Sequence, residues 1–172
     1  MNILSGLISG LISGILASLI AQIIIRATKP KIRISNNISK ELVDGSYEYR
    51  FKVVNLSKSY AKNLIISPQL ITTVNAQDGP LITTKPLPLM RKDIKFIAPY
   101  NKRDGNSTYA VRFRLNCNLE EIWEEDDYTS LEITIFCENE QNGCGKMFQQ
   151  LYRKKDTIVE GSFKTGKSTD IS

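Results

Sequence analysis

Residues 47–53 read Tyr-Glu-Tyr-Arg-Phe-Lys-Val, and this alternation of large apolar and charged side chains decides the fold of most of the chain. Successive side chains of a strand point to opposite faces, so Tyr47, Tyr49, Phe51 and Val53 share one face and Glu48, Arg50 and Lys52 the other. Residues 109–115 repeat the pattern, with Tyr109, Val111, Phe113 and Leu115 opposite Ala110, Arg112 and Arg114. Residues 131–137 set Leu131, Ile133, Ile135 and Cys137 against Glu132, Thr134 and Phe136. Each segment is expected to bury one face and wet the other, as antiparallel strands do.

Working outward, shorter strand-like segments fall at 31–35, 63–67, 69–74, 94–98, 146–152 and 157–163, separated by Gly, Pro and Asn. Many short strands and no long amphipathic helix predict a mainly-β domain over 31–163, an immunoglobulin-like sandwich or a small barrel. The run from Phe51 to Ile66 resembles the hairpin of immunoglobulin-like modules, a strand ending in Asn, a short polar turn, then Ala opening the next strand. Residues 75–91 hold Pro80, Pro86 and Pro88 and are expected to be an irregular connection. Residues 120–127 are strongly acidic around Trp123, and the polar tail 164–172 is expected to be disordered.

Upstream, residues 3–25 carry no charge, and a helix of that length rises about 35 Å, enough for a hydrocarbon core of about 30 Å. Only Met1 and Asn2 precede the run, and the basic residues Arg26, Lys29, Lys31 and Arg33 follow it, unlike a cleaved signal peptide. Residues 1–25 therefore read as an uncleaved transmembrane helix and 26–30 as a juxtamembrane linker. Cytoplasmic flanks are rich in Lys and Arg, which places the N-terminus outside and the domain in the cytoplasm. The glycosylation triplets at Asn55 and Asn106 are then accidental. Within the span, SGLISGLISG puts Gly6, Gly10 and Gly14 on one face beside Ser5, Ser9 and Ser13. Small faces let helices pack closely in lipid, so this strip predicts self-association.

All 23 Lys and Arg and all 18 Asp and Glu follow residue 25, so the excess of +5 belongs to the domain alone. The chain has no histidine, which removes the usual general base and the commonest metal ligand. No enzyme activity, cofactor or metal is expected. The three cysteines, Cys117, Cys137 and Cys144, are an odd number and read as reduced thiols, with Cys137 and Cys144 flanking a turn. Gly161-Ser-Phe-Lys-Thr-Gly-Lys-Ser matches the phosphate-loop pattern, but that motif must open a helix, and too little chain follows. The acidic group 120–127 lacks the spacing of a calcium loop. The remaining candidates are Arg50, Lys52, Arg112 and Arg114, which form one basic patch for phosphates if their two strands are neighbours.

The layout of a small-residue-rich anchor followed by a β-rich domain with a basic sheet face resembles small membrane-anchored antiviral effectors of bacteria, of the type III CRISPR kind that respond to cyclic oligoadenylate. The resemblance implies cyclic tetra-adenylate as ligand, a homo-oligomer such as a tetramer in the bacterial inner membrane, and action by perturbing membrane lipid. Duplex DNA is not an expected partner. No motif carries a binding residue across, so the four basic candidates stand on charge and alternation alone. The other reading is a non-enzymatic adaptor or assembly protein that recruits a cytosolic protein through the β domain.

Overall fold

A computed structural model of the chain describes residues 3–76, 79–92, 94–123 and 128–172. Helix α1 spans Ile3–Thr28, and its stretch Gly6–Arg26 has a mean hydropathy of 2.2 and no part buried against the domain. One helix is thus long and apolar enough to cross a membrane. It runs through the expected linker as far as Thr28, whose hydroxyl donates back to the Ile24 carbonyl at 2.8 Å. Pro30 accounts for the stop, because the residue before a proline is driven out of the helical region.

The remainder is mainly β, in two five-stranded sheets. The first is built on β3 (Ser46–Asn55). On one side of it lie β1 (Ile32–Ile34) and β2 (Ile38–Val43), with β10 (Ile158–Glu160) parallel beyond β2, and on the other lies β7 (Ala110–Leu115). The second is built on β4 (Ala61–Ala76), flanked on one side by β5 (Gly79–Pro86) and β6 (Phe96–Ile97). On its other side come β8 (Thr129–Asn139) and the edge strand β9 (Gly145–Tyr152). Tyr49, Phe51, Val53 and Phe113 of the first sheet meet Leu70, Leu131, Ile133 and Ile135 of the second in one core. That shared core makes the domain a sandwich. The short helix α2 (Leu119–Ile122) closes one end with Trp123, which is buried and donates Nε1–H to the Thr129 carbonyl at 3.2 Å.

Several expectations are corrected. The run from Phe51 to Ile66 is an arch that carries the chain from one sheet to the other, since Asn55 ends β3 and Ala61 begins β4. The expected strands 63–67 and 69–74 are one strand. Pro68 is tolerated within it because its carbonyl is taken by Leu87 N–H at 2.9 Å, on the side where β5 leaves off, so its missing donor breaks no bond to β8. Residues 79–86, expected to be irregular, form a strand, with Pro80 and Pro86 on an edge. The tail 164–172, expected to be disordered, folds back: Phe163 bridges Ile171, and Lys164 N–H donates to the Asp170 carbonyl at 3.0 Å. Of the acidic group, Glu124–Asp127 lie outside the described residues.

Candidate functional site

Strands β3 and β7 are neighbours, and their register sets Arg50 opposite Arg114 and Lys52 opposite Arg112. All four basic candidates therefore project from one face of the first sheet, away from the core. The structure then divides them. Arg50 is ion-paired with Glu41 and Glu48, and Arg114 pairs with the other oxygen of Glu48. Glu48 is only 5 % exposed, so two guanidinium groups and two carboxylates form one neutral cluster. Alternation put Glu48 in water; its partners hold it in the sheet.

Lys52, also expected on a wet face, is 2 % exposed. Its ammonium donates to the carbonyls of Lys164, Gly166 and Ser168 at 2.6, 2.7 and 2.7 Å. An ammonium has three donors, and all three are satisfied by neutral acceptors. Burial holds the Lys52 amine below the usual lysine range, with the nearby Arg112 charge adding to the effect. Arg112 is exposed and donates to the Phe163 carbonyl. The segment that matches the phosphate-loop pattern thus works with opposite polarity: its carbonyls surround a cation, where a phosphate loop would aim N–H groups at an anion. Two glycines permit the wrap. Gly166 has φ +80°, and a Cβ at Gly161 (φ +121°) would sit 2.3 Å from the Ser172 carbonyl oxygen. A shallow hollow of about 380 Å³ remains beside Lys52 and Arg112, bordered by Asn106, Ser107 and Thr165, with no carboxylate in its lining.

The second sheet turns a different face outward. Register aligns Ile65 with Phe136, and Phe136 with Met147, so three apolar side chains form a row across β4, β8 and β9. Ile65 is 61 % and Met147 58 % exposed. The Phe136 ring lies over Gly145, where a Cβ would meet it at 2.5 Å. This row runs out to β9, which among the described residues pairs only with β8.

The helix joins the domain through groups that no motif announced. Asn139, buried at the end of β8, donates its amide to the Thr28 carbonyl and to Ser59 Oγ, the latter at 2.7 Å. Asn142 donates to the Thr28 hydroxyl. Asn55 ties the arch to the end of β6, donating to the carbonyls of Ser59, Ile97 and Ala98. The sequence signal was faint: an Asn closing a strand in both β3 and β8.

Gly6, Gly10 and Gly14 are exposed, with nothing within 4 Å of an added Cβ. Ser9 and Ser18 donate to carbonyls of their own helix, Gly6 and Ile15. All three cysteines are free. The β8–β9 register pairs Cys137 with Lys146, and burial pushes the Cys137 thiol up to about 11. Glu120 is held by Lys40 at 2.7 Å and by the Tyr49 hydroxyl at 2.8 Å, which depresses its carboxyl pKa. Among the described residues no group of three His, Cys, Asp or Glu could hold a metal ion. Comparison of the chain with protein-family models and with curated proteins finds no match.

Proposed function

We propose that the protein is a single-pass, membrane-anchored and non-enzymatic recruitment or assembly module. Its partner is a cytosolic protein that docks on the outer face of the β4–β8–β9 sheet. The observation that carries this reading is the row of exposed Ile65, half-buried Phe136 and exposed Met147, ending at β9, whose outer edge has no paired strand among the described residues. An apolar patch next to an unpaired strand edge suits addition of a strand, in which main-chain bonds give affinity and the row gives selectivity. A photo-crosslinking residue at position 147 or 65 of the full chain in its own membrane tests it. We expect one discrete adduct from each position and none from position 44 in the β2–β3 turn. No adduct from either sheet position, or a diffuse smear equal at all three, contradicts the reading.

A second reading has its own observation. Among the described residues Lys52 and Arg112 form no ion pair, so this half of the basic face stays electropositive. In this reading the protein is a bacterial antiviral effector: a cyclic oligonucleotide, cyclic tetra-adenylate first, displaces the tail from Lys52 and Arg112. Helices associated through Gly6, Gly10 and Gly14 then perturb the inner membrane. Arg50 and Arg114 are removed from the ligand set, because Glu41 and Glu48 already neutralise them. Titration of the detergent-solubilised full chain decides: the reading requires binding lost in Arg112→Glu together with faster trypsin cleavage after Lys164, and indifference to cyclic oligonucleotides sinks it.

A further inference from the structure

The end of the domain that receives α1 carries a second surface. Four segments converge there: Lys31 N–H donates to Ser57 Oγ at 2.8 Å, Tyr100 N–H to the Ser57 carbonyl at 2.9 Å, and Glu140 N–H to the Tyr60 carbonyl at 3.1 Å. Between the helix end and these segments lies a groove of about 500 Å³. Lys29, Lys31 and Lys58 border it together with Ser57 and Gln141, and its lining contains no carboxylate. All three lysines are exposed and none is ion-paired among the described residues. Beside it, Tyr60 and Phe96 stack edge to face at 5.6 Å, with Phe96 61 % and Tyr60 39 % exposed. Lys62 and Lys95 flank that pair, with Glu140 in the same lining and Glu138 opposite Lys62 in the β4–β8 register.

We propose that this end of the domain binds anionic phospholipid of the membrane that α1 crosses, the lysine groove taking the headgroup phosphate and Tyr60 and Phe96 entering the interface. The inference rests on the membrane-anchored part of the reading above and is independent of the partner on the second sheet. Depth is the argument for this occupant. The apolar stretch ends at Arg26, and three further residues rise about 5 Å, whereas the headgroup layer on each side is about 5–8 Å thick. Asn139 and Asn142 fasten Thr28 to these same segments, so the groove is held at headgroup depth. Aromatic rings with an apolar body belong at that level, and lysines there gain from an anionic leaflet.

The full chain carrying Phe96→Trp is reconstituted in vesicles with brominated acyl chains, of phosphatidylcholine alone or mixed with phosphatidylglycerol. Resistance to alkaline carbonate is confirmed first. Native Trp123 is the internal reference: it is buried and bonds to Thr129, at the opposite end of β8 from Asn139 and about 30 Å away at 3.3 Å per residue. We expect quenching at position 96 that deepens with phosphatidylglycerol, while Trp123 keeps its emission. Each lysine removed by Lys29→Gln, Lys31→Gln or Lys58→Gln should weaken the local affinity about fivefold, and the triple variant should match the phosphatidylcholine level. Inserted protein with no quenching at position 96, or with quenching indifferent to phosphatidylglycerol and to the lysines, overturns the proposal alone. Protein that carbonate extracts overturns the anchored reading with it.

Discussion

Lys52 sits on the side of β3 that alternation assigns to it, and its burial comes from the chain 112 to 116 residues further on. No local rule sees such a partner, since a strand's period says which way a side chain points and not what covers it. Charge-assisted bonds of this kind are each worth about 1.5–3 kcal/mol, and an unmet buried partner costs comparably. Lys52→Met is therefore expected to lower stability in urea by about 1–3 kcal/mol and to open Lys164 and Lys167 to trypsin under native conditions. A variant as resistant as the parent would mean that the tail is held by Phe163 and Ile171 alone. Cys137 makes a second prediction at this scale. Its thiol is raised by burial, so the folded state keeps a proton that the unfolded state has lost. Its contribution to stability is complete below about pH 9 and disappears as pH rises through about 11. Thiol reagents at pH 8 should accordingly modify half-buried Cys144 and leave Cys137 intact until the protein unfolds.

Among elements, strands with one wet face were legible and strands with special circumstances were not. The alternation at 131–137 extends over the whole of β8, buried and half-buried in turn. The residues that failed are informative. Pro80 and Pro86 read as loop because a proline removes a ladder donor, yet on an edge strand that donor has no partner to lose. Pro68 read as a break for the same reason and falls where its neighbour ends. Polar Ser and Thr in the tail read as disorder because composition counts apolar side chains, whereas backbone carbonyls hold this segment. The joint between helix and sheet was invisible, because an asparagine amide carries no pattern. Asn139→Ala removes donors to Thr28 and Ser59 and should cost about 1–3 kcal/mol, measured by urea unfolding. Met147→Glu and Ile65→Asp change exposed positions and should stay within about 0.5 kcal/mol of the parent, while the crosslinked adduct at the second sheet disappears. A large loss of stability in those variants would reassign the row to the fold.

Across the whole molecule, basic side chains collect at the end where α1 enters, with Glu138 and Glu140 among them, while Glu120 at the other end is held by Lys40 and Lys155. The basic ones are Arg26, Lys29, Lys31, Lys58, Lys62 and Lys95, and Glu120 and Glu121 lie beside Trp123. The basic flank of the helix was legible, but Lys58, Lys62 and Lys95 were not, since the arch between the sheets and strand β6 bring them to it. At the other end the Lys40 bond depresses the Glu120 carboxyl, so its contribution is present above the ordinary glutamate value and is lost as pH falls through the lowered one. Acid unfolding should start at higher pH in Lys40→Met than in the parent, followed by tryptophan emission from Trp123. The candidate site divided along similar lines: the register that unites Arg50, Lys52, Arg112 and Arg114 was a stated condition of the sequence, and the carboxylates and tail that occupy them were not.

Recruitment of a cytosolic partner requires the sandwich to lie on the cytoplasmic side of the membrane, and protease access to the full chain in sealed vesicles of both orientations measures that directly. The expected result is a carbonate-resistant protein whose β domain is digested in inverted inner-membrane vesicles and protected in spheroplasts. Digestion in spheroplasts, or release of the protein by carbonate, would contradict it.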